Sequence, residues 1–585
     1  MSFLKAFGAS LLALVIFSAL VFISFLIIVS VMSAEKQVQV RPNTVLHLEL
    51  DGPINEMQRD DPLAGLPIPG AAEQNIGLMQ LKQAIENAKT NENIKGIYLE
   101  CSYLRGGFST IEEIRQSLID FRESGKFVVA YNETMSEGAY YLATAADAIY
   151  LNPEGDVEFN GLAIEVTFFK RLFDKLQIRP QVFRVGEFKS AVEPFLMEQM
   201  SPENELQLTE LANGINDVII SHISEARKIS VEKLREMSDN MQVRTARIAK
   251  EFGLVDELYY NDEFNDELRR RLGIGENDKI NFIGYRSFNK VGGTYNKSKN
   301  DIAVIVADGT IMPGESNSQD QIIGGETFVK EIRKARKNSR VKAIVIRINS
   351  PGGEFRASDM MWREIQLARK EKPVIASMSD YAASGGYYMA MGCDTIVAQP
   401  HTITGSIGIF GMMLDMSGFL GDKLGITFDE VKTGKYGDMY TITRPLTDGE
   451  RNYWQKNLDE HYDTFTRKAA EGRDMPQSEL LKVASGRVWT GSQAKERNLV
   501  DVIGGFDDAV RIAAEAAGVA DDHRVRYYPE PRTFLEEWLA RSEEDAGTRV
   551  MKQQLGENYE YIRQLQRLKT FQGAQARMPF ELVLH

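Results

Sequence analysis

A serine set among very small residues is the first place where this sequence could do chemistry. The run Ala382-Ala383-Ser384-Gly385-Gly386-Tyr387 puts that serine at the start of a predicted helix, where the first backbone N–H groups have no intrahelical partner. About 30 residues upstream, Asn349-Ser350-Pro351-Gly352-Gly353 closes an apolar run. Paired glycines there let the backbone take unusual dihedrals and come close to a ligand. A hydroxyl beside convergent N–H groups has the makings of a nucleophile next to an oxyanion hole. The competing reading is that Ser384 caps its helix and the glycines serve close packing.

Other chemistries find less support. His401, in His401-Thr402-Ile403-Thr404, lies soon after Ser384, but no orienting carboxylate stands nearby for a Ser-His pair, and it reads as a loop residue. Asp459-Glu460-His461-Tyr462-Asp463 carries metal-capable residue types at the spacing of a solvated helix face. The sequence contains neither the H-E-x-x-H zinc motif nor a Walker loop. Cys101 and Cys393, the two cysteines, sit in apolar surroundings and read as small buried residues rather than a bridge. The reading calls for no metal and no cofactor.

The elements that position these residues occur twice. Thr134-Met-Ser-Glu-Gly-Ala-Tyr-Tyr-Leu-Ala143 matches Tyr381-Ala-Ala-Ser-Gly-Gly-Tyr-Tyr-Met-Ala390 at an offset of 247, and the match holds at Asp147 with Asp394 and Pro153 with Pro400. Flanking blocks match in shifted register: Asp51-Gly52-Pro53-Ile54 with Asp308-Gly309-Thr310-Ile311, and Ala249–Asp256 with Ala494–Asp501. One large domain is used twice, which is not the short period of a solenoid. Within each copy, short apolar runs such as Val45–Leu50, Ile302–Ala307, Ala343–Ile348 and Val374–Met378 predict strands. Phe355–Lys370 is amphipathic and helical. Strand–helix–strand alternation implies an α/β class with parallel sheets. The expected organisation is an anchor over 1–34, a first repeat domain over 35–285, a linker over 286–300, a second repeat domain over 301–528 and a tail over 529–585. The insertion 58–72 reads as a turn-rich surface loop.

Three blocks together, Asn349–Gly353, Tyr381–Tyr387 and Thr404-Gly-Ser-Ile-Gly408, resemble the signature of the signal peptide peptidase A family in its long, duplicated form, also called protease IV. Gly186-Glu-Phe-Lys-Ser-Ala-Val-Glu-Pro-Phe195 is similar to that family's lysine-bearing segment. The resemblance implies two Clp-protease/crotonase-like domains, with Ser384 as nucleophile and Lys189 as general base. It also implies oxyanion donors from Gly385 and from Gly352 or Gly353, and Ser406 as a support for the amine. The family's substrates are signal peptides left in the membrane, and its assembly is a homotetramer. The repeat adds its own argument for the pairing. Ser384 aligns with Glu137, and Lys189 aligns with Gly437. Each half lacks what the other keeps, so a single site must draw on both, unless Lys432 or Lys435 serves instead. The apolar neighbours Val182, Phe183, Phe188, Ala191, Val192 and Phe195 would depress the lysine by burial. The rivals are a crotonase-type acyl-CoA enzyme and a non-catalytic membrane scaffold.

Bulk properties fit this reading. The 585 residues are 43% hydrophobic and 26% charged, an ordinary globular balance. A net charge of -14 without a long basic run argues against nucleic acid as partner. From Ala6 to Ala34 no residue is charged. A membrane span needs ~20 apolar residues, whereas a signal-peptide core has about 7–15. The expectation is an uncleaved single-pass anchor in the bacterial inner membrane, with the catalytic domains on the periplasmic side and hydrophobic peptides as substrates.

Overall fold

The computed structural model describes residues 7, 8, 10–20, 39–58, 75–291, 296–316, 321–529 and 573–578. The apolar runs ending in Asp-Gly are strands, Thr44–Glu49 and Asp301–Asp308. In the first copy six strands lie in the order Asn281–Gly284, Thr44–Glu49, Ile94–Glu100, Phe127–Met135, Ala148–Val157, Glu257–Leu258, each parallel to its neighbour. In the second copy's eight-stranded sheet six strands follow the same order, Arg524–Tyr528, Asp301–Asp308, Val341–Ser350, Val374–Ala383, Thr395–Ala398, Val502–Ile503, again parallel, and Val374–Ala383 also pairs with Ile403–Gly405, which carries the antiparallel Val488–Thr490. The duplication seen in the sequence is a duplication of topology. The chain is two tandem α/β domains.

Strand Val341–Ser350 shows how the two copies join. Ile344, Ile346 and Ile348 face a core shared with Ile332, Met361 and Ile365 of the same copy. Ala343 and Val345, on the opposite face, join a second core that runs through Phe506 and Ala509 into Phe108 and Ile111 of the first copy. The period of two sends alternate residues to opposite faces, and both are covered, which explains an apolar run rather than an alternating one. Arg347 interrupts the second face. Fully buried, it donates from Nε to Glu56 at 2.8 Å and from Nη1 to Glu113 at 3.0 Å. Glu113 also accepts from Lys82 at 2.5 Å and from the backbone N–H of Phe506 at 2.8 Å. Burial alone would raise the Glu113 carboxyl, but Lys82 and Arg347 outweigh it and hold the group down to about 2. Thr110 on the first copy's helix Phe108–Arg122 gives its N–H and its hydroxyl to Asp380, at 2.9 and 2.6 Å.

A further sheet crosses between the copies. Its order is Ile322–Gly324, Thr310–Met312, Gly352–Glu354, Gln575–Arg577, Ile409–Asp415, Arg179–Val185. The last two strands pair antiparallel, from Arg179 opposite Asp415 to Val185 opposite Ile409. The chain of the first copy thus enters the second copy's sheet just before Lys189.

Several expectations need adjustment. The stretch read as linker begins as a helix, Tyr285–Val291, because Tyr285 and Phe288 bury against the first copy. Residues 59–72 of the predicted insertion, and residues 530–572 of the tail, lie outside the described residues. The tail's short strand, Gln575–Arg577, returns to the body of the protein. Of the uncharged N-terminal run, Phe7, Gly8 and residues 10–20 are helical and exposed, and 21–34 lie outside the described residues. Among the described residues no helix is long and apolar enough to cross a membrane.

Removing Glu113 leaves Arg347 with Glu56 alone and Lys82 with only the exposed Asp507, and losing a member of a buried charge cluster costs about 3–5 kcal/mol. Glu113→Ala is therefore expected to lower the stability of the full chain by that order in chemical denaturation. An equal loss from the exposed control Asp217→Ala would contradict this account.

Candidate active site

Ser384 occupies the turn between strand Val374–Ala383 and helix Gly385–Ala390, with φ 55° and ψ −108°. A non-glycine residue at positive φ is uncommon and is held only when its surroundings over-determine it. Here its N–H donates to the Gly405 carbonyl at 2.8 Å, and the residue is fully buried. The hydroxyl makes no helix cap. The capping alternative therefore fails, and the strand-to-helix turn aims Oγ away from the helix. It meets Lys189. Nζ lies 2.9 Å from Ser384 Oγ across 195 positions of sequence, 3.0 Å from the Ser406 carbonyl and 3.0 Å from Ser406 Oγ.

The lysine is seated by glycine backbone. Its N–H donates to Gly186, which has φ +114°, and the preceding Phe188 N–H donates to the Ser485 carbonyl at 2.9 Å. A Cβ on Gly486 would stand 2.8 Å from the Lys189 Cβ, and one on Gly408 would stand 3.2 Å from its Cδ. The apolar neighbours expected to bury it mostly close other clusters. Phe195 packs with Phe169, Phe173 and Met412, and Ala191 and Val192 pack with Phe410. Lys189 is nonetheless 0% exposed, and burial drives its amine well below the ordinary lysine range. Its hydrogen-bond partners are hydroxyls and a carbonyl rather than carboxylates, so no opposite charge restores the protonated form.

The structure separates the two candidate donor glycines. The Gly352 N–H donates to Ser350 Oγ at 3.2 Å. Gly353 sits beside Gly385: a Cβ on Gly385 would lie 3.1 Å from the Gly353 nitrogen. Gly352 lies against Gly385 as well, a Cβ on it standing 2.7 Å from the Gly385 nitrogen, so what distinguishes Gly353 is that its N–H is not taken by Ser350. Ser406 is in place, itself at φ 49° with its N–H bonded to the Arg487 carbonyl at 2.7 Å.

The alternatives lie elsewhere. Lys432 pairs with Glu430 and Asp438, at 2.6 and 2.8 Å, and Lys435 stands over the ring of Tyr436. His401 is buried in an aromatic group with Phe108, Tyr141 and His222, and burial lowers its imidazole to about 4. Asp459, His461 and Asp463 lie on helix Asp448–Gly472, where His461 stacks on Phe355. Both cysteines are free and buried, and burial pushes the Cys101 thiol up to about 12. In the first copy, Glu137 holds the position equivalent to Ser384, and its carboxylate accepts from the N–H groups of Asn160 and Gly161 at 3.2 and 2.9 Å. Sequence reasoning missed Ser485 and Gly486. Their pairing with the lysine segment is a contact between copies that no local pattern announces.

A match to the model of peptidase family S49 covers residues 120–274 and again 366–520. The chain belongs to peptidase family S49. Among its relatives, the chloroplastic serine protease SPPA of Arabidopsis thaliana is 34% identical, over 83% of this chain and 71% of that protein. Protease 4 of Salmonella typhi is 36% identical over 78% of this chain and 75% of its own length, and that of Haemophilus influenzae 34% over 80% and 76%. As a member of S49 the chain is a serine peptidase. Among solved structures, a ClpP1 mutant from Listeria monocytogenes aligns at 16% identity with a TM-score of 0.24, over 35% of this chain and 94% of that one. So slight a likeness has no bearing on the fold of this S49 peptidase.

Two consequences follow for the lysine seat. Gly486→Ala at φ +79° forces a Cβ into Lys189, and a displacement of ~1 Å at a reacting group can cost 10²-fold. Peptide hydrolysis by this variant should fall by about that factor while its circular dichroism spectrum matches the parent. Unchanged hydrolysis would mean that the seat does not fix the amine. The second concerns stability. With the folded-state value depressed, the unfolded chain binds a proton that the folded chain refuses, so stability rises with pH between the two values. Lys189→Met should therefore melt higher than wild type at pH 7, and the gap should narrow as the pH nears ~10.4.

Proposed function

We propose that this S49 peptidase works through a Ser384–Lys189 dyad and degrades apolar peptides such as signal peptides after their release from preproteins. The observation that carries the reading is a buried amine 2.9 Å from a strained, uncapped serine hydroxyl, with no counterion bonded to it. A lysine in water is protonated at neutral pH and cannot act as base. Stripped of hydration it holds its lone pair, and Ser406, through its carbonyl and hydroxyl, keeps that lone pair aimed at Oγ.

Ser384 Oγ attacks the scissile carbonyl, and its proton passes to Lys189 Nζ. Charge developing on the substrate oxygen is met by the N–H groups of Gly353 and Gly385, and each such donor is worth about 2.7–4 kcal/mol in related sites. Nζ returns the proton to the leaving amine, and the acyl group remains on Oγ. Water then attacks the ester, losing its proton to Nζ, which passes it to Ser384 Oγ as the acyl–Oγ bond breaks and the acid leaves.

The fuller reading places the protein in the bacterial inner membrane. The uncharged run Ala6–Ala34 serves as anchor, and the catalytic domains lie on the periplasmic side. The assembly is a homotetramer of two Clp-protease/crotonase-like domains per chain. An anchored enzyme meets apolar peptides where they accumulate, and the relatives named Protease 4 support the peptidase part of this reading.

The test is hydrolysis of a fluorogenic peptide together with fluorophosphonate labelling mapped by mass spectrometry. Label should appear on Ser384. Ser384→Ala and Lys189→Ala should lose hydrolysis, and Lys189→Arg should stay inactive because a guanidinium does not deprotonate in the accessible range. For wild type, kcat/KM should rise with pH and level off clearly below ~10.4, since activity needs the neutral amine. A rate that climbs unbroken to pH 10, or an active arginine variant, removes Lys189 as the base.

A further inference from the structure

The short strand Gln575–Arg577 lies where a peptide substrate would have to lie. It pairs antiparallel with Gly352–Glu354, Gly353 standing opposite Ala576, and on its other side Gln575 stands opposite Phe410. The Phe355 N–H donates to the Ala574 carbonyl at 3.1 Å and the Met578 N–H to the Pro351 carbonyl at 2.6 Å. In an antiparallel ladder bonded pairs recur at every second residue, so Gly353 and Ala576 form the bonded pair between those two. The Gly353 N–H is therefore turned toward the Ala576 carbonyl. That oxygen is also 3.0 Å from where a Cβ on Gly385 would stand and 2.2 Å from one on Gly352. The carbonyl of Ala576 thus sits among the glycines beside Ser384, at the point a scissile carbonyl must reach.

The sheet without this strand has a gap. Gly352–Glu354 and Ile409–Asp415 would be two strand spacings apart, about 9.6 Å, with unpaired backbone on both edges. One extended peptide fills such a gap by main-chain hydrogen bonds, with side-chain pockets setting preference. Ala574 and Ala576 are both buried, Ala576 completely.

We propose that residues 573–578 are an intramolecular pseudosubstrate, seated in the register of a peptide to be cut, with Ala576 as the residue before the bond presented to Ser384. This deepens the dyad reading and rests on it. Two consequences follow from the geometry. The groove takes a small residue at the Ala576 position, because three glycines crowd the carbonyl and the side chain has no outlet to solvent. Any added peptide must first displace the tail, so the resting full-length chain holds its own groove closed.

The test uses the full chain carrying Ser384→Ala, which cannot cut, and measures binding of a fluorescein-labelled hexapeptide of the sequence Gly-Ala-Gln-Ala-Arg-Met. Adding Ala576→Trp, too large for the buried position, should tighten peptide binding at least tenfold. Ala576→Pro, which keeps a small side chain but removes the ladder N–H, should do the same and covers a failure of the tryptophan variant to fold. The hexapeptide with tryptophan at its fourth position should bind none of these chains measurably. Equal affinity in Ser384→Ala with and without either tail substitution overturns the proposal, as does tight binding of the tryptophan peptide. In the chain with Ser384 intact, trimming within 573–578 at any bond other than Ala576–Arg577 overturns the register. Because the binding comparison needs no turnover, it can fail while peptide hydrolysis upholds the dyad.

Discussion

An amine buried without a counterion is the constraint on which the site depends. Lys189 is at 0% exposure, its polar neighbours are two serines, and its positive form is correspondingly disfavoured. A position that must stay dry and neutral needs its walls fixed closely, since a water or a carboxylate admitted beside Nζ would restore the charge. The protein meets this with backbone rather than bulk. Gly408 and Gly486 come against the lysine stem closely enough that a methyl group on either would collide with it or press tightly on it. Ser384 and Ser406 are both held at positive φ by carbonyl partners. Strain at these two serines is maintained by the close-packed sheets around them, as is common where a reacting group must be pre-positioned.

The duplication explains why the seat is built across two copies. Each copy has the same six-strand order, and each has a helix start at the equivalent turn. In the first, Glu137 fills that turn and its carboxylate ties down Asn160 and Gly161, a structural use of the position. In the second, Gly437 stands where the first has Lys189, in an exposed stretch away from Ser384. A composite site requires the copies to keep one relative placement. The antiparallel pairing of Arg179–Val185 with Ile409–Asp415 supplies it immediately before the lysine. The shared apolar core and the buried cluster of Arg347, Glu56, Glu113 and Lys82 hold the rest of the contact. Such a cluster has little net worth against an apolar replacement, but it fixes one arrangement because any other leaves buried charges unpaired.

The crossing sheet ties specificity to the same construction. Gly352–Glu354 belongs to the sheet and also supplies Gly353 beside Gly385, so whatever strand pairs with it is brought to Ser384 in a set register. Recognition by main-chain pairing depends little on sequence, which suits a peptidase that meets peptides of varied composition.

Much of this was legible from the residues alone. The α/β class, the twofold repeat and the strands followed from short apolar runs alternating with an amphipathic helix. The complementary loss, Glu137 for Ser384 and Gly437 for Lys189, pointed to one site from two halves. These are properties of local pattern and of one copy compared with the other, and a sequence carries both. What only the tertiary structure decided is what depends on through-space contact. Both Gly352 and Gly353 border Gly385, and Ser350 takes the N–H of Gly352 but not that of Gly353. Ser485 and Gly486 seat the lysine, the helix Tyr285–Val291 replaces part of an expected linker, and the tail returns as a strand beside Ser384. No periodicity or motif marks these, since each partner is ordinary in its own stretch of chain. Their meaning comes from residues hundreds of positions away, brought near by burial of the shared core.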